Sequence, residues 1–267
     1  MNAKKVPHLF LATGATIFGQ HAVNPWTMGF QPNYQSEGRI YAKYVANNFP
    51  NAKIGILYQN DDFGKDMVKG FKDGLGAKAS LIVAEAPYEI ADPTVDSQIL
   101  KLKAAGVDLL YDSTTPKFGA MVIKKLAEIG WKPTHILGSV AASVGSVIKP
   151  AGFANAQGVI SAAYAKDPDD PKWKDDAGVK NWSAFLDKWM PGANKNDGNH
   201  VYGYNASQTL ITLLKMCGDD LTRENIMKQA QSLKNVQLEM LLPGITLNTS
   251  ATDYYPIEQM QLMRFEG

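Results

Sequence analysis

The sequence predicts an α/β fold of doubly wound, Rossmann-like parallel sheets. Short, nearly continuous apolar runs alternate with amphipathic stretches between residues 34 and 162, which is the pattern of buried parallel strands joined by helical crossovers. After residue 162, helices follow one another without strands between them. The length of 267 residues allows two modest domains.

Composition and charge narrow the class of partner. Hydrophobic residues make up 45% of the chain and charged residues 20%, as in ordinary globular proteins. The net charge of +1 gives no electrostatic case for nucleic acid or an anionic membrane, so a small molecule is the expected partner. The single cysteine, Cys217, excludes an internal disulfide and a cysteine-built metal site.

No part of the sequence predicts a membrane span or an export signal. Apolar runs stay well below the roughly 18 residues that a bilayer requires. At the start, MNAKKVPHLFLATGAT, the apolar patch from Leu9 to Ala12 is short and follows Pro7, so it does not predict a signal peptide.

The first strand is predicted from Val6 to Ala12 and is closed by Thr13-Gly14-Ala15-Thr16. Small and hydroxylated residues after a parallel strand leave backbone N–H groups and hydroxyls free to hold an anion such as a carboxylate. Such clusters are more often plain turns. The stretch from Asn24 to Asn33 is interpreted as a connection between domains.

A complete strand–helix unit follows at Lys53 to Phe71, KIGILYQNDDFGKDMVKGF. The apolar run predicts a buried strand, and Asp61 or Asp62 is expected to cap the helix behind it. Ligands of open parallel sheets bind at the carboxyl ends of strands. Phe63, in this loop, is therefore either a ligand contact or a residue that staples the helix to the sheet.

The remaining elements continue the alternation and then become helical. They are a helix at 34–49, a strand at 81–84, a helix at 95–105, a strand at 109–111, a helix from 116, a strand at 135–137, a short helix at 143–148, a strand at 158–162, helices at 179–189, 201–216 and 223–233, and a late strand at 259–265. The acidic segment DPDDPKWKDD lacks the ligand spacing of a calcium loop and is expected to be solvated surface.

No catalytic constellation is found. The sequence has no phosphate loop, no GxGxxG after a strand and no GxSxG elbow, and its four histidines lie far apart. Asp61, Asp62 and Asp112 follow strands, where helix capping explains them as well as acid–base chemistry does. We therefore predict no catalytic residue, no metal site, no cofactor and no enzyme activity.

Aromatic and hydroxyl side chains instead follow several strands, and they are expected to meet at one sheet edge. They are Thr13, Thr16, Phe63, Tyr111, Ser113, Thr114, Ser139 and Tyr164. This set suits a small molecule with an apolar body and one polar end.

In this order and spacing, several motifs resemble the type I periplasmic solute-binding proteins of bacterial ABC transporters, in the branched-chain amino acid (leucine/isoleucine/valine-binding) group. The motifs are TGAT after the first strand, IGILYQNDDFGKD, GVDLLYDSTTPKFG, HILGS and YNASQTL. The resemblance implies two α/β lobes that close on a solute in an interlobe cleft, a periplasmic location and a membrane permease as partner.

Carried onto this chain, the resemblance implies a first lobe of residues 1–27 and 162–254 and a second lobe of residues 28–161 and 255–267. Family members normally begin with further strand–helix units, so the chain resembles a member truncated at its N-terminus, with the first lobe incomplete. Apolar surface is then expected on the first strand and along the helix at 201–216.

The same resemblance implies the site residues. Gly14, Ala15 and Thr16 match the residues that hold the solute carboxylate. The matching contacts to the solute body are Phe63, Tyr204 and the loop of Tyr111, Asp112 and Thr114. Ser139 follows the strand after which amino-acid binders place a glutamate. A buried ammonium without a carboxylate partner is costly, which disfavours an α-amino acid unless Asp112 replaces that glutamate.

The expected function is therefore a transport receptor for a small apolar carboxylate, either a branched-chain amino acid or an aromatic or aliphatic acid. The alternative is a cytosolic ligand-sensing regulator of the same fold. An α/β enzyme requires a converging acid, base and nucleophile, and the sequence identifies no such group.

Overall fold

Eight strands and eight α-helices make up the chain, and the computed structural model describes residues 1–267. The strands are β1 (His8–Leu11), β2 (Thr27–Gly29), β3 (Ile54–Gln59), β4 (Ile82–Tyr88), β5 (Leu109–Ser113), β6 (Thr134–Leu137), β7 (Ile160–Ala163) and β8 (Gln261–Arg264). The helices are α1 (Tyr34–Asn48), α2 (Asp62–Leu75), α3 (Asp96–Ala104), α4 (Pro116–Glu128), α5 (Lys149–Ala151), α6 (Ala177–Trp189), α7 (Gly198–Cys217) and α8 (Arg223–Ala230).

The chain forms two units. Unit 1 comprises residues 1–33 and 164–260, and unit 2 comprises residues 34–163 and 261–267. The predicted lobe boundaries lie a few residues earlier in the sequence than the boundaries of the two units. That the units act as functional lobes stays a prediction.

Unit 2 is built on one six-stranded sheet with the order β4-β3-β5-β6-β7-β8. The pairings from β4 through β7 are parallel, as the strand–helix alternation predicts. The late strand β8 exists but pairs with β7 in the antiparallel direction, with Ile160 opposite Arg264. β8 is the last strand in the order and is therefore an edge strand, and all four of its residues are exposed.

Local sequence explains the elements that lead to the site. β3 is buried on both faces, which its apolar run IGILYQ requires. Asp61 caps α2, because its side chain accepts a hydrogen bond from the Gly64 N–H at 3.2 Å. Pro116 lies in the first turn of α4, where its missing N–H costs nothing.

The core of unit 2 has layers on both sides of the sheet. One cluster joins β3 and β5 to α3 and α4 through residues that include Leu57, Leu110 and Ile99. On α2, Gly70 lies so near α1 that an added Cβ would be 2.0 Å from the Gln35 carbonyl oxygen. This close approach of α1 and α2 therefore depends on glycine.

Unit 1 has a small parallel sheet of β1 and β2. β2 lies inside the stretch interpreted from sequence as a connection, so that interpretation is wrong at Thr27–Gly29. Three residues of turn-rich sequence carry too little periodicity to identify a strand. The helices α6, α7 and α8 supply most of the remaining regular structure.

The apolar surface expected in unit 1 is found on α7 and only in part on β1. α7 buries Leu213 but exposes four large apolar residues on its other side: Leu210, Ile211, Leu214 and Met216. On β1, Phe10 is buried and its neighbours are partly buried. None of the helices combines the length and apolar composition that a membrane span requires.

Candidate functional site

The loop after β1 contains the three residues expected to hold a carboxylate. Gly14 and Ala15 are buried and Thr16 is partly exposed. The Ala15 N–H donates to the Thr13 hydroxyl at 3.1 Å, so this N–H already has an acceptor inside the loop. The loop is thus held in one conformation by a bond between its own residues.

Asn33 fixes the hydroxyl of Thr16, a role that sequence reasoning did not identify. Its side-chain N–H donates to Thr16 Oγ1 at 2.9 Å and lies 3.5 Å from the Gly14 carbonyl oxygen. The Tyr255 hydroxyl donates to the Thr16 carbonyl at 3.0 Å. Because two side chains hold Thr16 from different directions, its position is set before any solute arrives.

The two tyrosines of α7 lie on different sides of the helix. Tyr204 donates to Glu239 Oε2 at 2.6 Å and packs edge-on against Phe185 at 5.3 Å. Burial, followed by the hydrogen bond to Glu239, raises the pKa of Tyr204 to about 12. Tyr202 instead donates to the Phe10 carbonyl of β1 at 2.6 Å. The α7 aromatic that contacts the strand before Gly14 is therefore Tyr202.

A cavity of about 360 Å³ also lies in unit 1. Its walls include Lys166, Asn181 and Glu239, and neither the loop of Gly14 to Thr16 nor Tyr204 lines it. Lys166 is paired with Asp176 at 2.7 Å, so the one cationic side chain in the wall has its charge already matched. The cavity is therefore separate from the predicted site residues.

In unit 2, Phe63 lies at the start of α2 and is partly exposed. Its ring packs edge-on against Tyr34 with the centroids 4.9 Å apart. The pair supports an apolar surface beside the end of β3. Both roles considered for Phe63, a contact and a staple, are compatible with this packing.

The end of β5 concentrates buried polar atoms. Tyr111, Asp112 and Thr114 are all fully buried. Tyr111 stacks on Phe71 with centroids 4.1 Å apart. Side-chain oxygens without a hydrogen-bond partner occur at four successive residues, Tyr111, Asp112, Ser113 and Thr114. A buried oxygen that lacks a donor is costly, so this strand end has unused capacity for hydrogen bonds.

Asp112 forms a buried pair with a histidine. His135 Nε2 lies 2.9 Å from Asp112 Oδ2, and both side chains are almost completely buried. Strand alternation places Asp112 and Tyr111 on opposite faces of the sheet. His135 therefore pairs with Asp112 Oδ2 on the face of the sheet opposite to Tyr111.

Ser139 is held by an acid that sequence reasoning did not identify, Glu37 of α1. The Ser139 N–H donates to Glu37 Oε1 at 2.7 Å, and the Ser139 hydroxyl donates to Glu37 Oε2 at 2.9 Å. A carboxylate thus does reach the loop after β6, but from a helix distant in sequence. The one available signal was an acid beside the apolar stripe of Tyr34, Tyr41 and Val45.

A hydrogen-bonded chain continues from Glu37 into the core. Tyr41 donates to Glu37 Oε1 at 2.9 Å and itself accepts the Ala162 N–H at 3.1 Å. Glu37 is 1% exposed. Burial raises its pKa, an effect that the hydrogen bonds from Ser139 and Tyr41 reduce but do not cancel. No lysine, arginine or histidine forms an ion pair with Glu37.

A second polar network braces the ends of β3, β4 and β5. Tyr88 donates to the Gln59 side-chain oxygen at 3.1 Å, and Thr115 also donates to that oxygen at 3.3 Å. The Gln59 amide donates in turn to Asp61, the cap of α2. Burial raises the pKa of Tyr88 to about 12, so its hydroxyl stays a donor in this network.

Across the whole chain, no group of three or more histidine, cysteine, aspartate or glutamate residues is arranged to hold a metal ion. The arrangement supplies backbone N–H groups, hydroxyls and aromatic faces. Such groups bind and orient a small molecule.

Comparison with known proteins identifies relatives of one kind. The family model described as periplasmic binding protein matches residues 1–267. A curated relative from Brucella abortus, the Leu/Ile/Val-binding protein homolog 1, is 27% identical over 205 residues, which are 75% of this chain and 52% of the relative. The chain therefore spans about half the length of this curated relative.

Solved structures share the fold. A substrate-binding periplasmic protein from Ralstonia solanacearum superimposes with a TM-score of 0.79 at 21% identity, over 96% of this chain and 69% of that one. A branched chain amino acid ABC transporter protein from Thermus thermophilus, solved with bound valine, gives a TM-score of 0.81 at 15% identity, over 100% of this chain and 70% of that one.

Proposed function

Because the chain belongs to the periplasmic binding protein family, we propose that it is the solute-binding component of an ABC transporter and captures a small apolar carboxylate for uptake. The match of the family model to residues 1–267 is the observation that carries the proposal. The relatives are named as binding proteins, which supports a binder rather than a catalyst. One similar solved structure is named as a branched chain amino acid ABC transporter, which supports transport rather than regulation.

In the proposed mechanism, unit 1 holds the solute carboxylate. Gly14, Ala15 and Thr16 form the anchor, with Thr16 oriented by Asn33. The loop and the Thr16 hydroxyl are fixed in advance, so they bind a carboxylate without further ordering of the loop, although the Ala15 N–H must exchange the Thr13 hydroxyl for the solute if it takes part. Tyr202 is the aromatic residue of α7 that contacts β1, the strand before this loop. A contact between Tyr204 and the solute stays a prediction.

Unit 2 is proposed to bind the body of the solute. Phe63 supplies an aromatic face. The unpaired oxygens of Asp112 and Thr114 supply hydrogen-bonding capacity at the end of β5, and Tyr111 is expected to contribute from the opposite face of the sheet. Ser139 supplies a polar contact. The solute is a branched-chain amino acid or an aromatic or aliphatic acid, the partner is a membrane permease, and the location is the periplasm.

Isothermal titration of the 267-residue chain with leucine, isocaproate and benzoate tests the proposal. We expect at least one of these acids to bind. Thr16→Val, which keeps the shape but removes the hydroxyl, is expected to weaken binding about tenfold, the worth of one hydrogen bond to a charged group. Phe63→Ala is expected to weaken binding through lost apolar contact.

Two exposed residues give matched controls. Thr252→Val in unit 1 and Phe153→Ala in unit 2 make the same chemical changes at exposed positions. Both are expected to leave affinity unchanged. Equal affinity of the Thr16 and Thr252 variants would contradict the proposed carboxylate anchor, and turnover of a bound acid would contradict the proposed binding role.

A further inference from the structure

The strand that leads into the proposed carboxylate anchor contains a β-bulge. Its matched pairs with β2 are His8 with Thr27 and Leu11 with Gly29. Between these pairs β1 advances by three residues and β2 by two, so β1 carries one extra residue, which is rare in a parallel pair. Phe10 has a φ of 59°, in the left-handed region, and this places the bulge at Phe10.

The backbone conformation of Phe10 is unfavourable for its residue type. At positive φ the Cβ atom of an L-residue crowds the backbone, so glycine is the usual residue at such a position in a bulge. Phe10 is the only non-glycine residue within a strand that has a positive φ. Strained backbone persists only where its surroundings enforce it, and it concentrates at ligand-binding sites.

Side chains from β2 and α7 hold Phe10 in this conformation. The buried Phe10 ring packs edge-on against Phe30, directly after β2, with centroids 5.7 Å apart, and Phe30 packs against Tyr202 at 5.6 Å. A bulge takes its extra residue out of the hydrogen-bonded ladder. The Tyr202 hydroxyl donates to the Phe10 carbonyl at 2.6 Å, so this carbonyl has a partner outside the sheet.

The bulge determines where the anchor loop leaves the sheet. Without it, one-for-one pairing from His8 onward would put Leu11 opposite Phe30 instead of Gly29. The loop uses the space at Gly29, since a Cβ added there would lie 2.8 Å from the Thr13 carbonyl oxygen. A regular strand would therefore shift the loop by one residue, about 3.3 Å, and turn its side chains to the other face.

We infer that Phe10 and Tyr202 are positioning residues for the carboxylate anchor. The bulge at Phe10, held by Tyr202, sets the register at which the loop of Gly14 to Thr16 presents its N–H groups and hydroxyl. The inference rests on the proposed function, and all the residues that carry it belong to unit 1. Neither Phe10 nor Tyr202 needs to touch the solute.

Three substitutions at Phe10 separate backbone conformation from packing. Phe10→Gly, Phe10→Ala and Phe10→Val all remove the ring, but glycine adopts positive φ freely, alanine less readily and β-branched valine least. Isothermal titration uses leucine, isocaproate or benzoate, whichever binds the unmodified chain most tightly. Phe10→Val is expected to bind this acid about tenfold more weakly than Phe10→Gly, with Phe10→Ala between them. Lost packing alone would give valine the smallest effect.

Met28 provides the matched control for these substitutions. It is buried on the neighbouring strand β2 and does not have a positive φ. Urea unfolding is expected to show a folding equilibrium constant about fivefold higher for Phe10→Gly than for Phe10→Ala. At Met28 the order is expected to reverse, because glycine weakens an ordinary strand.

Tyr202→Phe tests the hydrogen bond that holds the bulge. It keeps the ring against Phe30 but removes the donor to the Phe10 carbonyl, and it is expected to weaken binding of the acid about threefold to tenfold. In the Phe10→Gly background, where the left-handed backbone costs little, the same substitution is expected to have a smaller effect on affinity.

The outcomes distinguish the inference from the proposed function. Equal affinities of the three Phe10 variants, at whatever stability, would show that the bulge is purely structural and overturn the inference. Tighter binding by Phe10→Val than by Phe10→Gly would overturn it as well. Either result leaves the carboxylate-binding function in place, whereas absence of binding by the unmodified chain contradicts that function and the inference with it. If Phe10→Val does not fold, the comparison of Phe10→Gly with Phe10→Ala decides.

Discussion

One glutamate in each unit, Glu37 in unit 2 and Glu239 in unit 1, has an environment opposite to that of the other. Unit 2 buries Glu37 of α1 and Asp112 of β5 almost completely, where helices pack against the six-stranded sheet. Unit 1 keeps Glu239 partly exposed, where Tyr204, Asn181 and Gln208 donate to it. Burial dominates for Glu37 and raises its pKa, whereas for Glu239 the three hydrogen bonds outweigh burial and lower the pKa.

The difference between Glu37 and Glu239 shows how a larger sheet allows a carboxylate to be buried. A carboxylate is excluded from water only where strands and helices enclose it from several sides, and it then needs fixed protein donors. Unit 1, with two strands and an α7 that exposes apolar residues, encloses its acids less. We therefore expect polar substitutions to have larger effects in unit 2 than in unit 1.

The largest effect is expected at the buried pair. His135→Ala leaves Asp112 buried without a partner and is expected to lower the free energy of unfolding by about 3 to 5 kcal/mol. In unit 1, Asp175 pairs with Lys180 at side-chain exposures of 78% and 60%, so Asp175→Asn is expected to cost less than about 1 kcal/mol. Urea unfolding of both variants measures the difference, and equal costs would contradict the comparison.

Shortening a leucine side chain should likewise cost more stability in the core of unit 2 than on the outer side of α7 in unit 1. Leu57 of β3 is 0% exposed and Leu210 of α7 is 42% exposed. Leu57→Ala is expected to cost about 2 to 5 kcal/mol by urea unfolding, because it leaves a cavity in the unit 2 core. Leu210→Ala is expected to change stability by less than about 0.5 kcal/mol.

Leu213→Ala is the matched control for the helix, since Leu213 is buried on the same α7. Its cost is expected to be near that of Leu57→Ala. A large cost for Leu210→Ala would show that the outer side of α7 is covered in solution.

The two glutamates should respond to pH with opposite sign. Folded Glu37 binds its proton more tightly than the unfolded chain, so its contribution to the free energy of unfolding falls as pH rises from 4.5 through its raised pKa. Glu239, with a lowered pKa, contributes stability above pH 4.5 that is lost as pH falls through the lowered value.

Unfolding measured against pH for the unmodified chain, Glu37→Gln and Glu239→Gln tests this. The difference in the free energy of unfolding between the unmodified chain and Glu37→Gln should change with pH above pH 4.5. The corresponding difference for Glu239→Gln should change with pH below pH 4.5. If both free-energy differences changed on the same side of pH 4.5, burial would not distinguish the two glutamates.

Among the hydrogen-bonding changes, a small effect on stability is expected at Tyr204. Tyr204→Phe removes one hydrogen bond to a partly exposed Glu239 and is expected to cost about 1 kcal/mol in urea unfolding. Tyr202→Phe removes the bond to the Phe10 carbonyl and, next to the proposed anchor, is expected also to weaken binding of the acid. A larger loss of affinity in Tyr204→Phe would support the role that the sequence predicted for Tyr204.

Periodicity predicted the sheet of unit 2 well, because β3 and β5 are buried on both faces and the sequence between them alternates with regular helices. Unit 1 was harder. β2 has three residues, too few for a pattern, and the antiparallel direction of β8 depends on pairing with β7, which no local signal encodes.

The candidate site shows the same limit. Residues that follow strands, such as Thr16 and Ser139, were identified because strand ends meet at one sheet edge. Glu37 and Asn33 were missed, since they act on loops 102 and 17 residues away in sequence. Such partners are set by helix packing and become visible only in three dimensions.

Hydrogen exchange of the 267-residue chain tests the central claim most directly when it is measured with and without a saturating concentration of leucine, isocaproate or benzoate, whichever binds most tightly. If the loops after β1 and β6 bind the solute, exchange at residues 12–16 and 139–141 slows, whereas exchange in α8 stays unchanged. Unchanged exchange in both loops, or slowing confined to the walls of the unit 1 cavity, would contradict the account.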